Sequence, residues 1–150
     1  MAEKFVKYRN LNHTLKHLRI QVIDSLDFCV NEMPRFDHPE ELFDTLKNLV
    51  SYKNDPPGIE LLQTVPTLLN NNYWGRSGHG DCDCFTIFTL AMCVANGWND
   101  NEIVLTGHNR NQASHIYSAT WHNGDRYILD LTNPYINIER PYKFCQVLKV

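Results

Sequence analysis

No stretch of this 150-residue chain holds the roughly 18 consecutive apolar residues that a membrane-spanning helix requires. Positive charge is scarce as well: 14 Lys and Arg stand against 17 Asp and Glu, for a net charge of −3 and a pI near 6.1. With no Lys/Arg cluster to offset that balance, the chain offers no field for a phosphate backbone, so neither nucleic acid nor membrane is expected as a partner. Cysteine is present in an odd number, five, and no apolar leader follows Met1-Ala2-Glu3-Lys4. Free thiols in a reducing compartment are therefore expected rather than a disulfide framework. That places the chain in the cytoplasm, although one carried in a phage virion would have the same composition. There is no internal repeat, and no low-complexity tract beyond Asn70-Asn71-Asn72.

What is present suffices for one core. At 43% hydrophobic residues over this length, the chain can bury an interior without a disulfide or a metal to hold it, and it is read as one domain. Residues 1–58 read as helical support and residues 59–150 as the part that carries chemistry. Leu11, Leu15, Leu18, Val22, Leu26, Cys29 and Met33 recur at three- and four-residue steps, the stripe of one long amphipathic helix ending before Pro34. A second helix follows, with Asp37 and Glu40 as a capping box, Pro39 in the first turn, and Leu42, Phe43, Leu46, Leu49 and Val50 as its buried face. Asn54-Asp55-Pro56-Pro57-Gly58 forces a loop. A short helix is expected over 59–64, irregular structure over 70–79, and strands over 102–106 and 144–150, which with the hairpin below make a sheet of about four strands.

The densest signal is Gly80-Asp81-Cys82-Asp83-Cys84-Phe85, which opens the most apolar stretch of the chain and stops at Asn96-Gly97. Cys82 thus falls at the exposed start of a buried helix, with Asp81 as its cap. Unpaired N–H groups and the positive end of the helix dipole favour thiolate over thiol there. Downstream, Ser114-His115-Ile116-Tyr117 and Tyr127-Ile128-Leu129-Asp130-Leu131 are joined through Asn123-Gly124. Asn-Gly prefers a two-residue type I′ turn, which sets His122 opposite Asp125, Trp121 opposite Arg126 and Tyr117 opposite Asp130. His115 and Asp130 then share a face as diagonal neighbours, roughly 7–8 Å apart in backbone, a gap their side chains can close. A base and an orienting carboxylate are available in the chain order Cys, His, Asp.

Plainer roles compete for these residues. A lone cysteine on an apolar helix is usually inert core, and Cys29, Cys93 and Cys145 are read so. His115 draws its weight from Asp130, and Asp130 needs a partner because a carboxylate buried alone within an apolar strand costs several kcal/mol. His79, Cys82 and Cys84, with His108 or His115, supply atoms that zinc accepts, but one Cys-x-Cys with scattered histidines lacks the paired knuckles of structural zinc sites. No metal and no cofactor are expected. Tyr73 and Trp74 either line a substrate cleft or close the edge of the core.

Gly80-Asp81-Cys82-Asp83 with its apolar helix, Ser114-His115-Ile116-Tyr117, and Ile128-Leu129-Asp130 together resemble the core of the transglutaminase-like cysteine hydrolases, particularly their compact bacterial and phage-encoded members. The match covers roughly residues 60 to 135 and departs from many relatives in having Cys84 and Phe85-Thr86 after the cysteine. The resemblance implies an α+β, papain-like arrangement with the cysteine helix packed on a small antiparallel sheet. It implies Cys82 as nucleophile, His115 as general base and acid, Asp130 as the group that orients the imidazole, and Gln63 as a side-chain oxyanion donor beside the Cys82 N–H. The expected activity is a thiol-dependent hydrolase or acyltransferase acting on an amide or peptide bond, with a peptide or protein substrate. The alternative is a non-catalytic structural or binding member of the same fold, in a virion or another protein assembly.

Overall fold

In the computed structural model, residues 4–6, 11–54, 60–70, 78–108 and 113–150 are described. The architecture is α+β. In chain order the elements are β1 (Lys4–Val6), α1 (Leu11–Glu32), α2 (Pro39–Lys47), β2 (Val50–Tyr52), β3 (Glu60–Leu62), α3 (Val65–Asn70), β4 (Gly78–Gly80), α4 (Cys82–Ala95), β5 (Asn101–Gly107), β6 (Ala113–His122), β7 (Asp125–Leu129) and β8 (Phe144–Lys149). β7, β6, β5 and β8 form one antiparallel sheet in that order, while β1 pairs with β3 and β2 runs parallel to β4 in two small ladders.

α4 is the centre of the molecule. Phe85, Ile87, Phe88, Leu90, Ala91 and Met92 are all buried, around the whole helix rather than along one stripe, because α1 packs on one side of it and the sheet on the other. Each large side chain so buried contributes about 1.5–3 kcal/mol of transfer free energy. Thr89 and Ser118, both fully buried, share a 2.6 Å hydrogen bond that ties α4 to β6. The helix starts on Asp81, whose carboxylate accepts from the N–H groups of Asp83 and Cys84, and it ends at Asn96 with Gly97 at φ 81°.

The sheet has two faces of different character. Ile103, Leu105, Ile116 and Leu129 join the main core on the α4 side, whereas Val104, Tyr117 and Ala119 form a smaller cluster with Ile128 and Cys145 on the outer side. The hairpin of β6 and β7 turns at Asn123 and Gly124, with φ of 53° and 86°, the pair of positive values that a type I′ turn requires. Its ladder pairs His122 with Asp125, Trp121 with Arg126 and Ser118 with Leu129, the register expected from Asn-Gly.

Several expectations are corrected by tertiary contacts. α2 is capped by His38 rather than by an Asp37–Glu40 box, because the His38 Nδ1 accepts from the Glu40 N–H at 3.2 Å while its Nε2 meets the Tyr127 hydroxyl at 3.1 Å. The helix expected over 59–64 is instead strand β3 followed by α3, since Leu61 and its neighbours pair with β1 and the backbone N–H of Val65 is satisfied by Ser25 Oγ of α1. Val50 belongs to β2 rather than to α2, and residues 78–80 form β4 rather than irregular chain, so the first third is not purely helical. No helix among the described residues is long and apolar enough to cross a membrane.

Candidate active site

β7 leaves the ladder after Leu129, so Asp130 sits one step beyond the strand, across from Tyr117 and diagonal to His115. The diagonal closes: His115 Nε2 lies 2.6 Å from Asp130 Oδ2. Asp130 is only 3% exposed, and every face of its carboxylate is used. Oδ2 also accepts from Asn133 Nδ2 at 3.1 Å, while Oδ1 accepts from the Thr132 N–H at 3.0 Å and the Thr132 hydroxyl at 2.7 Å. Burial alone would raise the Asp130 pKa, but the hydrogen bond and charge of His115, with the two Thr132 donors, outweigh it and hold the carboxyl below its ordinary value. The clamp has its own support, since Arg140 donates from Nε to Asn133 Oδ1 and from Nη2 to Thr132 Oγ1, each at 3.2 Å.

Cys82 is the first residue of α4 and half-buried. Its sulfur accepts a hydrogen bond from the Ile116 backbone N–H and lies 4.0 Å from Asp83 Oδ1. Cys82 and His115 line one open cleft of about 730 Å³, a size that admits several residues of a peptide. The structure thus gathers Cys82, His115 and Asp130 at one end of the sheet.

The electrostatics of the thiol differ from the expectation. Burial pushes the Cys82 pKa well up, the carboxylates of Asp83 and Asp81 push the same way, and the Ile116 N–H only partly offsets them. The residues that start the helix are themselves acidic, so their charge cancels the positive helix end that favours a thiolate.

Cys84 points the other way. It is fully buried, and a Cβ on Gly80 would lie 2.7 Å from its Cβ, so only glycine at 80 permits this approach of β4 to α4. Gln63 belongs to that side too: its Nε2 donates to the His79 carbonyl at 2.9 Å and to Cys84 Sγ at 3.5 Å. Its amide is thus directed at Cys84, not at the cleft sulfur. Tyr73 and Trp74 lie outside the described residues. Among the described residues no three His, Cys, Asp or Glu side chains gather as a metal-ligand set.

Thr132, Asn133 and Arg140 were not singled out in the sequence. Their signal is weak because each becomes a partner only when the turn after Leu131 folds back on Asp130. Compared with models of protein families, with curated proteins and with solved structures, the chain matches none. Its chemistry must be read from its own geometry.

Proposed function

We propose that the chain is a thiol-dependent hydrolase or acyltransferase acting on an amide or peptide bond, built on a papain- or transglutaminase-like core, with Cys82, His115 and Asp130 as its triad. The observation that carries this reading is the 2.6 Å contact of His115 with a fully clamped, buried Asp130 in the cleft that also holds Cys82. Asp130 accepts the hydrogen bond from His115 Nε2–H and so fixes the tautomer whose Nδ1 is the basic nitrogen. As the acyl group binds, the Cys82 proton passes to Nδ1 and the sulfur attacks the carbonyl carbon. The tetrahedral adduct collapses as the C–N bond breaks, and the imidazolium gives its proton to the departing amine. Water or a second amine then resolves the thioester. The Asp81 cap engages the amides of Asp83 and Cys84, which leaves the Cys82 N–H as the first-turn donor for the oxyanion.

A second reading, a binding module on the same scaffold in a virion or other assembly, is favoured by one observation, the Asp83 carboxylate 4.0 Å from the part-buried Cys82 sulfur, which opposes a thiolate there. Activity against a peptide pool, with iodoacetamide adducts mapped at neutral pH, separates the two. In the enzyme, Cys82→Ala abolishes turnover with stability changed by about 1 kcal/mol or less. His115→Ala slows labelling of Cys82 while Cys84 stays unlabelled in the folded protein. No turnover in the wild type together with Cys82 labelling indifferent to His115 would leave the module reading standing, whereas turnover that survives Cys82→Ala would remove Cys82 from the mechanism.

A further inference from the structure

The chain carries more acidic than basic residues, yet among the described residues that line the Cys82 cleft none is an Asp or a Glu, and the carboxylate in contact with the sulfur, Asp83 with Oδ1 at 4.0 Å, is not among them. Arg140 and Lys143 form one wall, His108 and His115 stand beside them, and the rings of Tyr52 and Tyr142 flank the opening. Neither Arg140 nor Lys143 makes an ion pair among the described residues. Arg140 is held in place by two neutral acceptors, Asn133 Oδ1 and Thr132 Oγ1, which stand between it and the Asp130 carboxylate, so its orientation is fixed without a direct ion pair. Lys143 is anchored through its backbone, its N–H donating to the Gly107 carbonyl at 3.2 Å on the neighbouring wall. The protein's other exposed lysine on this sheet behaves differently, for Lys149 is paired with both Asp100 and Glu102.

Cations without a direct ion pair on an acidic protein, gathered at the mouth of a reactive thiol, select for negative charge in what the thiol meets. Resting on the assignment of Cys82 as nucleophile, we propose that the substrate is an acidic peptide, with a carboxylate within a residue of the bond cleaved or exchanged, seated between Lys143 and Arg140. The carboxylate comes either from an Asp or Glu side chain or from a free C-terminus. Arg140 offers a planar fork suited to such a group, and Lys143 a mobile point charge. The two tyrosines supply apolar surface for the adjoining backbone.

Two reagents of nearly one shape test the charge selection. Iodoacetate and iodoacetamide both alkylate sulfur at the methylene carbon with loss of iodide, and they differ in one carboxylate. The ratio of their rates at Cys82, mapped by mass spectrometry and normalised to 2-mercaptoethanol, should favour iodoacetate by about three- to fivefold at low ionic strength. Lys143→Gln should lower the ratio, Lys143→Glu should invert it, Lys143→Arg should restore it, and high salt should flatten it. A ratio equal to that of 2-mercaptoethanol and indifferent to residue 143 overturns the proposal. If Cys82 reacts with neither reagent, the nucleophile assignment falls on its own, and binding to the Cys82→Ala protein decides the substrate class. By calorimetry, blocked Gly-Glu-Gly amide should bind several-fold more tightly than blocked Gly-Gln-Gly amide if the side chain is read. Blocked Gly-Gln-Gly with a free C-terminus should do so if the terminus is read. In either case Lys143→Glu should remove the difference, and equal binding of all three peptides overturns the proposal.

Discussion

The outer face of the four-stranded sheet ends in a buried carboxylate at each extreme, and the two are satisfied in opposite ways. At the turn end, Glu102, 6% exposed, accepts from Arg126 Nε at 2.8 Å and Trp121 Nε1 at 3.2 Å, with Lys149 Nζ 3.3 Å away. At the cleft end, Asp130, 3% exposed, has no permanent cation within ion-pair distance among the described residues; neutral donors and an imidazole bond it, while the Lys47 ammonium sits on the adjacent Leu131 carbonyl. Both carboxyls are held below their ordinary pKa, Glu102 because Arg126, Trp121 and Lys149 outweigh its burial, Asp130 because His115 and Thr132 do. Arginine and lysine keep their charge at any ordinary pH, so the Glu102 end is a fixed strut. An imidazole has a second ring nitrogen that can take up a proton while the first holds the carboxylate, so on the proposed function the Asp130 end is where a proton is handed on. Burial is alike at both ends; the identity of the partners is what differs.

The largest expected effect breaks that symmetry by the same conservative change at each end. Asp130→Asn keeps an oxygen for Thr132 but turns an amide N–H₂ toward His115 Nε2, forcing the other tautomer, and should cut turnover by about 10⁴-fold with the fold intact. Glu102→Gln should leave turnover within about twofold and instead cost about 1–3 kcal/mol of stability, because Arg126 loses its charged acceptor. Steady-state kinetics and urea unfolding on both variants read the two quantities. Comparable loss of turnover from the two variants would mean that Asp130 is a strut as well.

Acid separates the two ends less sharply but in a definite direction. Each carboxyl has a folded-state pKa below its ordinary value, 3.8 for Asp130 and 4.5 for Glu102. The unfolded chain therefore takes up these protons first. The stability each contributes is complete above the ordinary values and is lost as pH falls through the folded ones. The melting temperature followed from neutrality down into this range should fall in the wild type and fall less steeply in both Asp130→Asn and Glu102→Gln. An unchanged acid limb in either variant would show that its carboxyl is not perturbed in the folded state.

The pairing at the cleft end was legible because it is local: Asn123-Gly124 sets the hairpin register, and two residues on one face of a hairpin can be located by counting. The start of α4 was legible for a similar reason, since Asp81 before a long apolar run is both a cap and a boundary. Elements built from long-range contacts were not. Residues 60–62 become a strand only because β1 lies alongside, and His38 replaces Asp37 as a cap because Tyr127, 89 positions away, holds its ring. The support around Asp130 failed to announce itself for the same reason, as Thr132, Asn133 and Arg140 are ordinary loop residues until the chain turns back. The thiol's electrostatics were misjudged at shorter range: the helix end was weighed, but the carboxylates of Asp81 and Asp83 beside it were not.

Those carboxylates supply the smallest effect and the finest test of how partner identity bears on role. Asp81 is buried like Asp130 and Glu102, and its Oδ1 caps the helix by accepting from the Asp83 N–H at 3.1 Å and the Cys84 N–H at 3.4 Å. Such bonds require an acceptor oxygen, not a charge, and asparagine caps a helix about as well as aspartate. The cap itself thus does not call on the charge of Asp81, which opposes ionisation of Cys82, though less than burial does. Asp81→Asn should change stability by less than about 0.5 kcal/mol, whereas Asp81→Ala, which removes the cap, should cost about 1 kcal/mol. Both variants should shift the ultraviolet thiolate titration of Cys82 to lower pH and speed its alkylation at neutrality, because both delete a nearby negative charge. If the titration moves in neither, burial alone governs the sulfur, and the acidic start of α4 serves the helix rather than the thiol.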